Sequence, residues 1–151
     1  MELAQTTTVL EDLNETLEDG REGFTKAAEK LEEDGHGQIA AKMREFAAQR
    51  EQLSRELANI AAHNGMTFET GDGTAAGALH RGWMSMKDAL TGSDPHAILA
   101  AAERGEDHAV AQYKEALDEE LPAPVRAVVS QQASAVQAAH DQVRDLRDAN
   151  A

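Results

Sequence analysis

The sequence predicts an all-α fold: four long amphipathic helices arranged as two helical hairpins, joined by a shorter helical segment. Three observations carry this reading. Apolar residues recur at alternating steps of three and four through four stretches of similar length. Two of the stretches are joined by Asp34-Gly35-His36-Gly37 and the other two by Leu121-Pro122-Ala123-Pro124, tight turns that make antiparallel neighbours. Nowhere does the chain alternate with the period of two that a half-buried strand needs. Its 151 residues, 41% of them hydrophobic, suffice for one compact domain, 1–151, whose core is stable without staples.

The first helix is expected from Thr8, read as an N-cap with Glu11 in the capping-box place, along the seam Leu10, Leu13, Leu17, Gly20, Phe24, Ala27 and Leu31. The second carries Ile39, Met43, Phe46, Arg50, Leu53, Leu57 and Ile60 up to the stop signal Asn64-Gly65. Residues 65–74 are rich in Gly and Thr. A shorter helix at about 75–91 follows, with the stripe Ala76, Leu79, Trp83, Met86 and Leu90. Asp94-Pro95 has the chemistry of a helix start, and Leu99, Ala102, Glu106, Val110, Tyr113 and Leu117 form the next seam, ending near Leu121. Pro122 and Pro124 open the last helix, seamed by Val125, Val128, Gln132, Val136, Ala139, Val143 and Leu146.

The connection over 65–93 is long enough to run back along the bundle. The second and fourth helices are then parallel, as in ferritin-like four-helix bundles with one long crossover; a plain five-helix up-and-down array is the alternative.

Composition narrows the function. Against 14 Lys and Arg stand 28 Asp and Glu, a formal charge of −14 that repels phosphate backbones and anionic lipid, so nucleic-acid and membrane partners are not expected. With no cysteine, thiolate metal sites, iron–sulfur clusters and disulfides are excluded, and any metal needs carboxylate or imidazole ligands. The opening MELAQTTTVLEDLNE has neither a basic n-region nor an apolar h-region, and no later stretch is apolar for long enough to span a bilayer; a cytoplasmic protein is expected. No Gly-x-Ser-x-Gly elbow, P-loop or dinucleotide fingerprint occurs.

At about 100° per residue, Arg50, Glu106 and Gln132 fall in the middle of their seams and point inward. Glu103, one turn before Glu106, and His140 on the last helix flank the interior at a similar level. Gly20 is level with Arg50, and a mid-helix glycine, costing about 1 kcal/mol against Ala, is explained by room for a neighbouring side chain. Glu22 and Asp19 fall roughly opposite the first seam, where they could still meet the crossover helix. Two accounts follow. In one, Glu103, Glu106 and His140 form a core metal site for iron or manganese. In the other, Arg50 and Glu106 make a buried ion pair that fixes helix register. A di-iron bundle of the usual kind needs Glu-x-x-His on each of two helices, and the chain has no such pair, its single match, Glu33–His36, falling at the expected turn; this speaks against ferroxidase chemistry. His36, His63 and His96 are read as helix-end residues, His108 as outward-facing, His80 as packing, and Tyr113 as a buried ring with its hydroxyl bonded.

The runs GALHRGWMSMKDALTGSD (77–94), ERGEDHAVAQYKEAL (103–117), LPAPVRAVV (121–129) and AAHDQVRDLRD (138–148), with LNETLEDGREGFTKAAE (13–29), resemble a bacterial family of ferritin-like four-helix-bundle proteins of unknown function. The resemblance spans nearly the whole chain and implies a ferritin-like fold. The wider ferritin-like group suggests iron or oxidant handling with a stress-related role, and the positions most like the family's polar motifs are Glu22, Glu103, Glu106 and His140. The contrasting function is a non-enzymatic bundle that acts through protein association. Ala-rich faces such as Ala58, Ala61 and Ala62 can pack within the bundle or between subunits, which leaves a homodimer open.

Overall fold

The computed structural model describes residues 2–69 and 79–151, and among them every regular element is a helix: α1 (Leu3–Glu33), α2 (Gly37–His63), α3 (Met84–Ala89), α4 (Pro95–Leu117) and α5 (Ala123–Ala149). α1 begins earlier than Thr8. The Glu2 N–H donates to the Gln5 side chain (3.3 Å), and the hydroxyls of Thr6, Thr7 and Thr8 donate back to the carbonyls of Glu2, Leu3 and Ala4. The threonine run therefore lies inside the first turns, its hydroxyls satisfied by the helix itself, and Thr8 is not a cap.

The two hairpins form as the turn chemistry requires. Gly35, at φ +86°, takes the left-handed conformation that ends α1, and the His36 N–H donates to the Leu31 carbonyl (2.8 Å). At the other hairpin Arg126 donates to the Leu117 carbonyl (2.9 Å), closing the free end of α4. α4 opens as its sequence suggests: the Asp94 side chain accepts from the His96 N–H (3.0 Å) with Pro95 in the first turn.

α1 packs on α2, α4 on α5, α1 on α4 and α2 on α5. Two apolar clusters fill the interior. One joins Phe24, Ala28 and Leu31 to Met43, Phe46, Ile98, Leu99 and Val143. The other joins Leu10, Leu13 and Leu17 to Leu57, Tyr113, Val125 and Val129. The N-terminal halves of α2 and α4 thus share the first cluster, which makes these helices parallel. Met66, just after α2, sits in the second cluster while Trp83 and Met86, just before α4, sit in the first, so the two described ends of the connection lie in different clusters along the bundle.

The crossover differs from the expected helix at 75–91. Among the described residues its helical part is six residues, Met84–Ala89, and residues 79–83 are irregular; 75–78, with Ala76, lie outside the described residues. Arg81 (φ 35°) and Gly82 (φ 76°) turn the chain immediately before Trp83. The indole is 2% exposed and lies against two glycines: a Cβ at Gly23 would stand 2.1 Å from its Cε3, and one at Gly105 2.2 Å from its Cε2. Phe24 meets the same ring at 4.9 Å, nearly edge-on. An indole-wide gap between α1 and α4, not a helical stripe, is what buries Trp83. No described helix is long and apolar enough to cross a membrane.

Candidate metal centre

The layer between the two apolar clusters is polar. Arg50 and Glu106, both 0% exposed, form a two-pronged ion pair across the bundle, with Nη1–Oε1 and Nη2–Oε2 each at 2.6 Å. Gly20 makes room for it, since a Cβ there would stand 3.3 Å from Arg50 Nη1. The guanidinium also lies 5.3 Å from the Phe24 ring centre. Beside this pair, the Tyr113 hydroxyl donates to Gln132 Oε1 (2.7 Å), and Gln132 Nε2 donates to the Leu53 carbonyl (3.0 Å). Burial pushes the Tyr113 hydroxyl well above the usual tyrosine range, so it stays neutral at physiological pH. Both Glu106 oxygens are occupied by Arg50, and the core layer is satisfied by its own side chains.

A second polar group lies at the α4–α5 seam, nearer the surface. Glu103 and Asp107 stand one turn apart on the same face of α4 and point toward α5. His140 reaches them from α5: its Nε2 is 2.7 Å from Asp107 Oδ1 and 3.9 Å from Glu103 Oε2, while its Nδ1 is 3.1 Å from Asp141 Oδ1. Arg147 pairs with Glu103 and also donates to Asp148 (2.8 Å). A groove of about 570 Å³, lined by His96, Glu103, Arg104, Asp107, Arg147 and Asp148, opens beside the group. Burial lowers the His140 pKa, but the hydrogen bonds to Asp141 and Asp107, with the charges of Asp107 and Glu103, outweigh it and hold the imidazole above the ordinary histidine value.

Glu103, Asp107 and His140 each offer one ligand atom, and the three atoms lie within 4.8 Å of one another; such a Glu/Asp/His group could hold a metal ion. Of the four residues singled out in the sequence, Glu103 and His140 are brought together here. Glu106 is turned inward to Arg50, and Glu22 is on α1, 3.5 Å from Lys26. Asp107 was not among them. Its signal was the four-residue step from Glu103, which sets the two carboxylates one turn apart on the same side of α4, while Glu106, three residues on, is offset in the opposite sense about the axis and meets Arg50. His108 is not outward-facing as expected: its Nε2 is buried, and a Cβ at Gly82 would come within 2.6 Å of its own Cβ, because the crossover covers that part of α4.

Residues 5–119 match DUF2383, a domain of unknown function, and the chain belongs to that family. The match takes in α1 to α4, with Glu103 and Asp107, and stops before α5 and His140. No curated protein matches the chain.

Proposed function

We propose that this DUF2383 protein is a metal-holding helical bundle that takes one divalent transition ion, manganese or ferrous iron, at Glu103, Asp107 and His140. The observation that carries the reading is the convergence of two carboxylates and an imidazole from two helices within 4.8 Å. Oxygen and imidazole donors together suit these borderline ions, and three protein ligands leave coordination positions open to the groove. The second ring nitrogen of His140 is held by Asp141, the kind of outer contact that orients a ligating imidazole. Arg147 has to release Glu103 for the ion to bind there, and Asp148 is at hand to receive it. The parallel α2 and α4 support a ferritin-like kinship, and a stress-related role in holding such an ion follows from that kinship. The single Glu-x-x-His, Glu33–His36, spans the turn between α1 and α2 and has no counterpart on a second helix, so the role is binding and not ferroxidase turnover.

One observation favours a second reading, a non-enzymatic bundle that acts through association with a partner or a second copy. The core polar layer is closed on itself through Arg50–Glu106 and Tyr113–Gln132, and it needs no ion to be satisfied.

Loading the purified protein with Mn(II), with Fe(II) without oxygen, and with Zn(II), then measuring bound metal per chain, separates the readings. One ion per chain is expected in the native protein and in Glu106→Gln, with loss in Asp107→Asn and His140→Ala. No bound metal in the native protein sinks the metal reading in favour of association. Loss in Glu106→Gln with retention in Asp107→Asn moves the site back to the core.

A further inference from the structure

Asp19 stands apart among the carboxylates. It is 3% exposed, on the face of α1 turned toward the crossover, and among the described residues neither of its oxygens has a hydrogen-bond donor. Arg81 Nε lies 3.8 Å from its Oδ2, and Arg81 is already paired with Glu15. Arg81 holds this position at φ 35°, a conformation non-glycine residues seldom adopt, between His80, whose Nε2 is also buried with no hydrogen-bond partner among the described residues, and Gly82. The next residue is Trp83 in its glycine gap. A buried carboxylate without donors calls for an explanation, because the ionised form loses water and gains little in return.

We propose that Asp19 is a proton-controlled latch for the crossover: while its carboxyl is neutral the segment His80–Trp83 stays docked on α1, and ionisation of the carboxyl loosens that docking.

The groups around the carboxyl are Arg81 and His80 from the crossover and Glu15 and Glu18 from α1 itself, while α4 presents His108 to the same segment. Burial raises the Asp19 pKa from 3.8 to about 6 against the pull of Arg81 and His80, with Glu15 and Glu18 adding to the rise. Lifting Arg81 away lets water reach the carboxyl and returns it toward its ordinary value. The docked state therefore binds the proton more tightly than the undocked one. Docking is strongest below the ordinary value near 3.8, weakens as pH rises through about 6, and is level above that. Two units of displacement correspond to a change of at most about 100-fold in the opening equilibrium.

Hydrogen exchange reads this opening residue by residue. The amides of Trp83, Met86 and Leu90 donate to the carbonyls of His80, Trp83 and Met86, so they report on the docked segment. Measured from pH 4 to 7.5 and corrected for intrinsic exchange, their opening is expected to rise tenfold to about 100-fold in the native protein. Amides in the middle of α2 and α5 should change by no comparable factor. In Asp19→Asn the three amides should keep their acid-like protection across the range. Emission of Trp83, the sole tryptophan, provides a second readout of the same change. An equal rise in Asp19→Asn, or no rise in the native protein, overturns the proposal. If Asp19→Asn fails to fold, Asp19→Ser removes the charge in a smaller side chain and takes its place.

Discussion

Removing one partner of the Arg50–Glu106 pair is the perturbation whose consequence the structure fixes most closely. Both side chains are 0% exposed, and the two 2.6 Å contacts are the sole polar contacts found for Glu106 among the described residues. Glu106→Gln leaves the Arg50 charge buried with neutral acceptors alone, the new amide and Gln49 Oε1, and Arg50→Met leaves the Glu106 carboxylate with no donor among the described residues. Orphaning a buried charge costs about 3–5 kcal/mol. Arg50 also borders a cleft of about 320 Å³ between α1 and α2, which gives an orphaned guanidinium a short route to water and places Glu106→Gln at the lower end. At about 2–4 °C per kcal/mol for a domain of this size, each single variant should melt about 6–20 °C below the native protein. Replacing both groups, as Arg50→Met with Glu106→Leu, removes the desolvation cost together with the attraction. The double variant should fall within about 1 kcal/mol of the native protein or exceed it. Urea unfolding followed by circular dichroism measures all four corners of the cycle. Single variants that cost less than about 1 kcal/mol, or a double variant as destabilised as the sum of the singles, would refute the argument that pairing, and not mere volume, holds this layer.

Three further outcomes follow from other contacts. If His140 ligates the ion, manganese affinity should fall as pH drops, because the imidazole must lose its proton to bind; held above its ordinary pKa, it should begin that fall at a higher pH than a free histidine would. An affinity flat between pH 6 and 8 in isothermal titrations argues against His140 as a ligand. Gly23→Ala pushes a methyl to within 2.1 Å of the Trp83 ring and should cost about 1–3 kcal/mol with a red-shifted tryptophan emission, whereas Gly37→Ala, with nothing within 4 Å, should be neutral or mildly stabilising by thermal melt. Tyr113→Phe leaves Gln132 Oε1 without its buried donor and should cost about 1–3 kcal/mol in urea unfolding, a loss that Gln132→Leu should not deepen when combined with it.

The parts of the fold that were legible in the sequence are those governed by local periodicity. The four long seams and both turns could be read because each helix buries one stripe, and the parallel α2 and α4 followed from the length of the connection. The Arg50–Glu106 layer could be read as inward-pointing, and Gly20 as its clearance, from seam position and level. What failed was governed by long-range contact. Leu79, Trp83, Met86 and Leu90 have helical spacing, yet the first two precede the helix, because the partner of Trp83 is a gap made by Gly23 on one helix and Gly105 on another. Asp107 lies on the exposed side of α4 and acquires meaning from the His140 ring 2.7 Å away on a different helix. The expected cap at Thr8 failed for a local reason instead: the Thr8 hydroxyl, like those of Thr6 and Thr7, bonds back inside a helix that starts earlier.

The polar layer has a further consequence for how uniquely the bundle packs. The apolar clusters on either side are built largely from Leu, Ala and Val, whose non-directional contacts tolerate a slip of one helical turn far better than polar contacts do. The layer has directional contacts on every long helix: Asn14 on α1 with Ser54 on α2, Arg50 on α2 with Glu106 on α4, Tyr113 on α4 with Gln132 on α5, and Gln132 back to the Leu53 carbonyl on α2. A slip of one turn, about 5.4 Å along the axis, separates every one of these pairs while costing the aliphatic clusters comparatively little. The layer is therefore expected to select register more than to add stability. In the Arg50→Met, Glu106→Leu double variant the Tyr113–Gln132, Gln132–Leu53 and Asn14–Ser54 contacts remain, and α4, which keeps its contact to α5 but loses its contact to α2, should be the helix whose register loosens first. Amide spectra of the double variant should keep native dispersion except for residues of α4 and its neighbours in the layer, where lines broaden. Uniformly sharp, native-like spectra would show that the apolar surfaces alone define the register, and that Arg50 and Glu106 contribute nothing to it.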